Sequence, residues 1–151
     1  MSGPTATGPV LIAYDGSDLA ALAIDEAGSL LGAGNPALVL CVWQPFDVGF
    51  VPAGGEQFDA AGAKDVKAAA EHTAAAGADR ARAAGFDASS ASVEAAPTWR
   101  GIVDVANERD ARLIVLGSHG RSGVRSMFYG SVASAVLAHS RRTVLISHVG
   151  D

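Results

Sequence analysis

The residues best suited to chemistry lie together in one stretch, Gly117-Ser118-His119-Gly120-Arg121-Ser122-Gly123-Val124-Arg125, which runs on to Gly130-Ser131. The apolar run Arg112-Leu113-Ile114-Val115-Leu116 precedes it, and a helical pattern from Ser131 to Ala138 follows. It therefore reads as a glycine-rich loop from a buried strand to a helix. α/β proteins hold phosphate at such places, because N–H groups are free at a helix start and the helix dipole favours negative charge. Gly117, Gly120 and Gly123 recur at every third position and let the backbone come close to a ligand. His119, Arg121 and Arg125 either add donors and positive charge there or stand as ordinary solvated side chains. Gly130 and Ser131 sit at the helix start, where Ser131 has both an N–H and a hydroxyl to give.

A second polar segment, Asp15-Gly16-Ser17, closes the apolar run Val10-Leu11-Ile12-Ala13-Tyr14. Ser17 suits a helix N-cap, with Asp18 in the first turn. Asp15 has two readings. It caps the turn, or it faces a ligand, accepting from a ribose hydroxyl or holding Mg²⁺ through water beside phosphate oxygens.

The elements that must position these segments follow from periodicity. Ala20, Ala23, Ala27, Leu30 and Leu31 recur at helical spacing and stop at Gly32 and Gly34. Ala37 to Trp43 is a second buried strand. Gln44 to Gln57 has loop composition with Phe46 and Phe50, either tucked onto the domain or forming a partial lid. Phe58 to Ala84 predicts a long Ala-rich helix, bent at Gly77 and ended by Gly85. Ala88 to Ala95 is a polar third strand suited to an edge. Thr98, after Pro97, is the expected cap of a helix whose inward face is Ile102, Val105 and Ala106. Leu113 to Leu116 is strand four, Phe128, Val132 and Val136 stripe the last helix, and Thr143 to His148 is strand five.

Five strands alternating with four helices predict an α/β fold: an open five-stranded parallel sheet with helices on both faces. Right-handed crossovers lead to the order 3-2-1-4-5. Strands one and four are then neighbours at the switch point, where open α/β sheets bind ligands. The Asp15 loop and the Gly117 loop meet there.

At 151 residues, a single domain over 1–151 is expected. Half of the residues are apolar (49%) but only 6% are aromatic, so small side chains build the core. The net charge of −5 gives no basic footprint for nucleic acid. The single cysteine, Cys41, forms no internal disulfide and reads as a buried small hydrophobe in a reducing compartment. No basic leader or membrane-length apolar run is present, so the expected place is the cytoplasm, with no membrane partner. His72, His139 and His148 have no metal-ligand spacing. Trp43 and Trp99 read as packing residues.

The spacing Gly117, two residues, Gly120, nine residues, Gly130, then Ser131, resembles the nucleotide-binding signature of the universal stress protein family, in its ATP-binding branch. Gly117-Ser118-His119-Gly120-Arg121-Ser122-Gly123 is also worded like that family, and the likeness runs from Tyr14-Asp15-Gly16-Ser17 to strand five. The resemblance implies a Rossmann-like fold of the adenine nucleotide alpha hydrolase kind and a stress-response module that binds ATP, with Mg²⁺ as a companion ion. It implies that Asp15, Gly16 and Ser17 lie near ribose and metal, and that backbone near Val42 reads the adenine edge. It implies that Gly117, Ser118, His119, Gly120, Arg121 and Gly123, with Gly130, Ser131 and Val132, hold phosphate and ribose. It also implies a homodimer through strand five, where Val144, Leu145 and Ile146 form an apolar edge. The family's proline before that strand is absent, and His139-Ser140-Arg141-Arg142 stands in its place.

Other classes that share the fold lack their residues. A dinucleotide-binding enzyme needs Gly-x-Gly-x-x-Gly after strand one, and the chain has Asp15-Gly16-Ser17-Asp18-Leu19-Ala20. A Gly-Lys-Ser/Thr phosphate loop is absent, and no aspartate ends strand three to accept a phosphoryl group. No Ser-His-Asp or Cys-His pair is placed as a nucleophile. A binding protein is therefore expected. The alternatives are a slow Mg-dependent ATPase and a protein-interaction module that binds cyclic AMP or no nucleotide.

Overall fold

A computed structural model describes residues 5–45, 60–118 and 130–148. The apolar runs become β1 (Val10–Ala13), β2 (Pro36–Trp43), β3 (Asp87–Glu94), β4 (Leu113–Gly117) and β5 (Val144–Ser147). Between them lie α1 (Asp18–Leu31), α2 (Ala60–Ala83), α3 (Thr98–Glu108) and α4 (Ser131–His139). All strand pairs are parallel and the order is β3-β2-β1-β4-β5, as expected.

Consecutive strand residues point to opposite faces, and each face buries its own helices. Val10, Ile12, Val39 and Val115 pack with Ile24 and Ala27 of α1 and Ala78 and Ala81 of α2. Leu11, Leu38, Leu40 and Ile114 pack with Ile102 and Ala106 of α3 and Ala133 and Val136 of α4. Alanines facing the strands let the helices sit close, which explains a core poor in aromatic side chains.

Local sequence explains most helix ends. The Ser17 hydroxyl accepts from the Ala20 N–H at 3.2 Å, and Gly32 ends α1 with φ 80°. One expectation needs correction. Thr98 is not the cap of α3: Pro97 occupies that position, makes no side-chain capping bond, and Thr98 is the first helical residue. The long helix α2 runs unbroken from Ala60 through Gly77 to Ala83. Gly77 serves close packing, because a Cβ there would stand 2.6 Å from Tyr14 Cδ2 and 2.8 Å from Val39 Cγ1.

Candidate functional site

The site begins with the shortness of β1. Along β2, backbone groups alternate in direction. The Leu40 carbonyl accepts from the Tyr14 N–H at 2.9 Å, on the β1 side, and the Trp43 carbonyl accepts from the Ala95 N–H at 3.1 Å, on the β3 side. Val42 comes next on the β1 side, but β1 has ended at Ala13. Among the described residues its N–H and C=O thus have no strand opposite. The other wall is built the same way. Ile114 and Ser118 donate toward β5, to Thr143 O at 2.9 Å and Ser147 O at 3.0 Å. Gly117 therefore turns its N–H and C=O toward β1, whose register with β4 stops at Ile12 opposite Val115.

This notch opens into a cavity of about 310 Å³. Asp15, Val42, Gly117, Ser118, Gly130, Ser131 and Val132 all border it, so the two polar loops do meet. The Gly130 N–H donates to the Ser118 carbonyl at 2.6 Å and draws the start of α4 against the end of β4. The first helical bond of α4 runs from Ser134 N–H to Gly130 O, at 3.0 Å. Gly130 makes no side-chain cap, so the N–H groups of the first turn remain available at the rim.

Asp15 shapes its turn and stands at the cavity. Its Oδ1 accepts from the Ser17 N–H at 2.9 Å, which shapes the turn, and its side chain borders the cavity. Gly16 and Ser17 do not border it. Gly16 supplies the turn, at φ 84°, and Ser17 caps α1. His119, Gly120, Arg121, Gly123, Arg125 and Phe128 lie outside the described residues, as do Phe46, Phe50 and the rest of the 46–59 segment. Among the described lining residues, Asp15 is the one carboxylate, and no Lys, Arg or His takes part. No group of three or more His, Cys, Asp or Glu that could hold a metal occurs among the described residues.

Sequence reasoning missed the far wall of the cavity. Cys41 and Trp43 of β2 pack with Val66, Ala70 and Ala74 of α2 as a small apolar cluster, and the first four of these border the cavity. Thr73 and Thr98 add hydroxyls. Alanine-rich helices carry little hydrophobic contrast, so this face of α2 was hard to assign. Trp99 has a partner that spacing could not reveal: it stacks on His139, with centroids 4.0 Å apart and planes at 9°.

Residues 7–148 match the Universal stress protein family. The chain belongs to the universal stress protein family. No curated protein sequence matches it. Among solved structures, a universal stress protein in complex with cAMP is 25% identical over 94% of this chain and 98% of its own, with a TM-score of 0.64. The universal stress protein from Archaeoglobus fulgidus in complex with dAMP is 22% identical over 93% of this chain and 98% of its own, at 0.63. The hypothetical protein MJ0577 is 22% identical, covers 94% and 96%, and superposes at 0.76. The last two likenesses speak for the shared fold. In this universal stress protein, the helices of the described residues include none long and apolar enough to cross a membrane.

Proposed function

We propose that the chain binds an adenine nucleotide, ATP foremost, in the notch beyond β1, as a regulatory binding module and not as a dedicated catalyst. One observation carries the reading: the Val42 backbone, which pairs with no strand of the described residues on its β1 side, and the start of α4, which has no side-chain cap, border the same cavity. An N–H beside a C=O on one strand offers a donor and an acceptor to the edge of a base. The α4 start offers N–H groups, the Ser131 hydroxyl and a favourable dipole to phosphate. Apolar Ala13, Leu40 and Val42 between them suit the faces of a ring. His119, Gly120, Arg121 and Gly123 extend the phosphate contacts, while Gly16 and Ser17 act by fixing the Asp15 turn. Relatives of the same fold solved with cAMP and dAMP support an adenine ligand.

A lone carboxylate does not make a metal cage, but it suits an ion that keeps its water and shares phosphate oxygens. Asp15 would hold Mg²⁺ in that way, and the ion would neutralise phosphate charge. Among the described residues bordering the cavity nothing else is placed to activate water, and slow hydrolysis therefore ranks behind binding. A second copy is expected to pair along β5, an edge strand whose Val144, Leu145 and Ile146 are half-buried in one chain. The module is proposed to work in the cytoplasm with a protein partner yet to be found, and cell fractionation should place it in the soluble fraction.

Calorimetric titration of nucleotide-stripped protein tests the reading, with Mg-ATP, AMP, cyclic AMP and GTP as ligands. Micromolar ATP binding is expected, weakened about tenfold or more by Ser131→Ala, since a hydrogen bond to a charged group contributes about 1.5–3 kcal/mol. Folded protein that takes up no adenine nucleotide would overturn it. Sedimentation of the same sample should give twice the 15.2 kDa chain mass, and a monomer would remove the β5 pairing.

A further inference from the structure

One polar side chain on the base side of the cavity has no role in the account above. Thr98, the first residue of α3, is half-buried and borders the cavity. Gln44 leaves the end of β2 beside it, and Gln44 Nε2 donates to Thr98 Oγ1 at 3.4 Å. A hydroxyl that accepts from an amide still has its own proton to give. Among the described residues no acceptor takes that proton.

The first turn of α3 also lies directly against Val42. A side-chain atom built at Gly101, one turn along from Thr98, would stand 3.1 Å from Val42 Cγ1. Ile102, on the same helix, borders the cavity as well. The Thr98 hydroxyl is thus a donor on the cavity that Val42 also borders, at the start of the helix that packs against the Val42 side chain.

We propose that Thr98 is a base-reading residue, whose hydroxyl, turned by Gln44, donates to a ring nitrogen of adenine beside Val42. This rests on the nucleotide reading above and adds a reason for its base preference. Adenine's unsubstituted ring nitrogens all accept. The two bases differ at N1, where adenine accepts while guanine carries a proton beside its C2 amino group, so a fixed donor aimed at that edge meets another donor on guanine. A buried group left without its partner costs more than a hydrogen bond gains, which is how such a site rejects the wrong base.

The test is calorimetry with ATP, GTP and inorganic tripolyphosphate, which carries no base. Thr98→Val keeps the shape and removes the donor. It should weaken ATP binding about five- to tenfold, narrow the ATP-to-GTP ratio by a similar factor, and leave tripolyphosphate unchanged. Thr98→Ser should restore both ATP affinity and ratio. Gln44→Leu, which leaves α3 intact, should shift the ratio in the same direction by less, and carries the test should Thr98→Val not fold. An unchanged ATP-to-GTP ratio in both variants would overturn the base-reading role alone. Equal losses for ATP and tripolyphosphate would overturn it too, by showing general damage to the site. Wild-type protein that binds no adenine nucleotide would instead overturn the nucleotide reading, and this role with it.

Discussion

At the amino ends of the strands, distant segments are tied together by side chains. Arg142 donates to Asn107 Oδ1 at 3.1 Å, Asp110 Oδ1 at 3.1 Å and the Ala111 carbonyl at 2.7 Å. Thr7 N–H donates to the other Asp110 oxygen at 3.0 Å, and Arg112 donates to Asn35, whose amide in turn holds the last carbonyls of α1. At the carboxyl ends, Val42 and Gly117 face a gap and α4 starts without a side-chain cap. The same sheet thus ties its polar groups at one end and, among the described residues, leaves them open at the other. On the reading proposed above, stability and binding are separated in space: loops carry function where a scaffold fastened elsewhere holds them.

The largest effect expected from this contrast is at the fastened end. A Cβ at Gly28 would stand 2.5 Å from the Ala84 carbonyl oxygen and 2.9 Å from Ala84 Cβ. Gly28→Ala should cost about 1–3 kcal/mol by overpacking, lowering the melting temperature by roughly 5 °C. Nucleotide affinity of the folded variant should not change. A matching loss of affinity would show the two ends to be coupled and would break the contrast.

A smaller effect should appear with acid. The Asp110 carboxyl is held below its ordinary range, first by the Thr7 N–H and then by Arg142. An unfolded aspartate titrates near pH ~3.9, so the stabilisation is present above that value and is lost as pH falls through the lower folded value. Asp110 has φ 51°, a conformation that asparagine tolerates, so Asp110→Asn changes charge without straining the backbone. The stability gap between wild type and variant, from urea midpoints, should be steady near neutrality and shrink below about pH 4. A gap that widens in acid would contradict the assignment.

Strand order and the two facing loops were legible because buried parallel strands are short, apolar and bounded by glycine or polar residues. Val10–Ala13 and Leu113–Gly117 are examples. The one-residue difference at Tyr14 was not legible, yet it decides where the notch opens, since tertiary pairing and not propensity ends β1. Nothing in the composition around Val42 marks its backbone, which the alternating hydrogen bonds of β2 leave without a strand opposite among the described residues. Threonine after proline suits a helix cap, yet proline holds that position here and Thr98 is the first helical residue. Arg142 was invisible as a fastener because its partners lie 31 to 35 residues away. The Gly117–Gly130 pattern was the most readable feature of all, and its middle, 119–129, lies outside the described residues.

The central claim is that ligand binding belongs to the open end, and amide-resolved NMR titration with Mg-ATP tests it most directly. The account predicts that the amides of Val42, Gly117, Ser131 and Val132 shift together in one saturable event, while those of Thr7, Asp110 and Ala111 stay in place. Shifts confined to the fastened end, or none at saturating nucleotide, would contradict it.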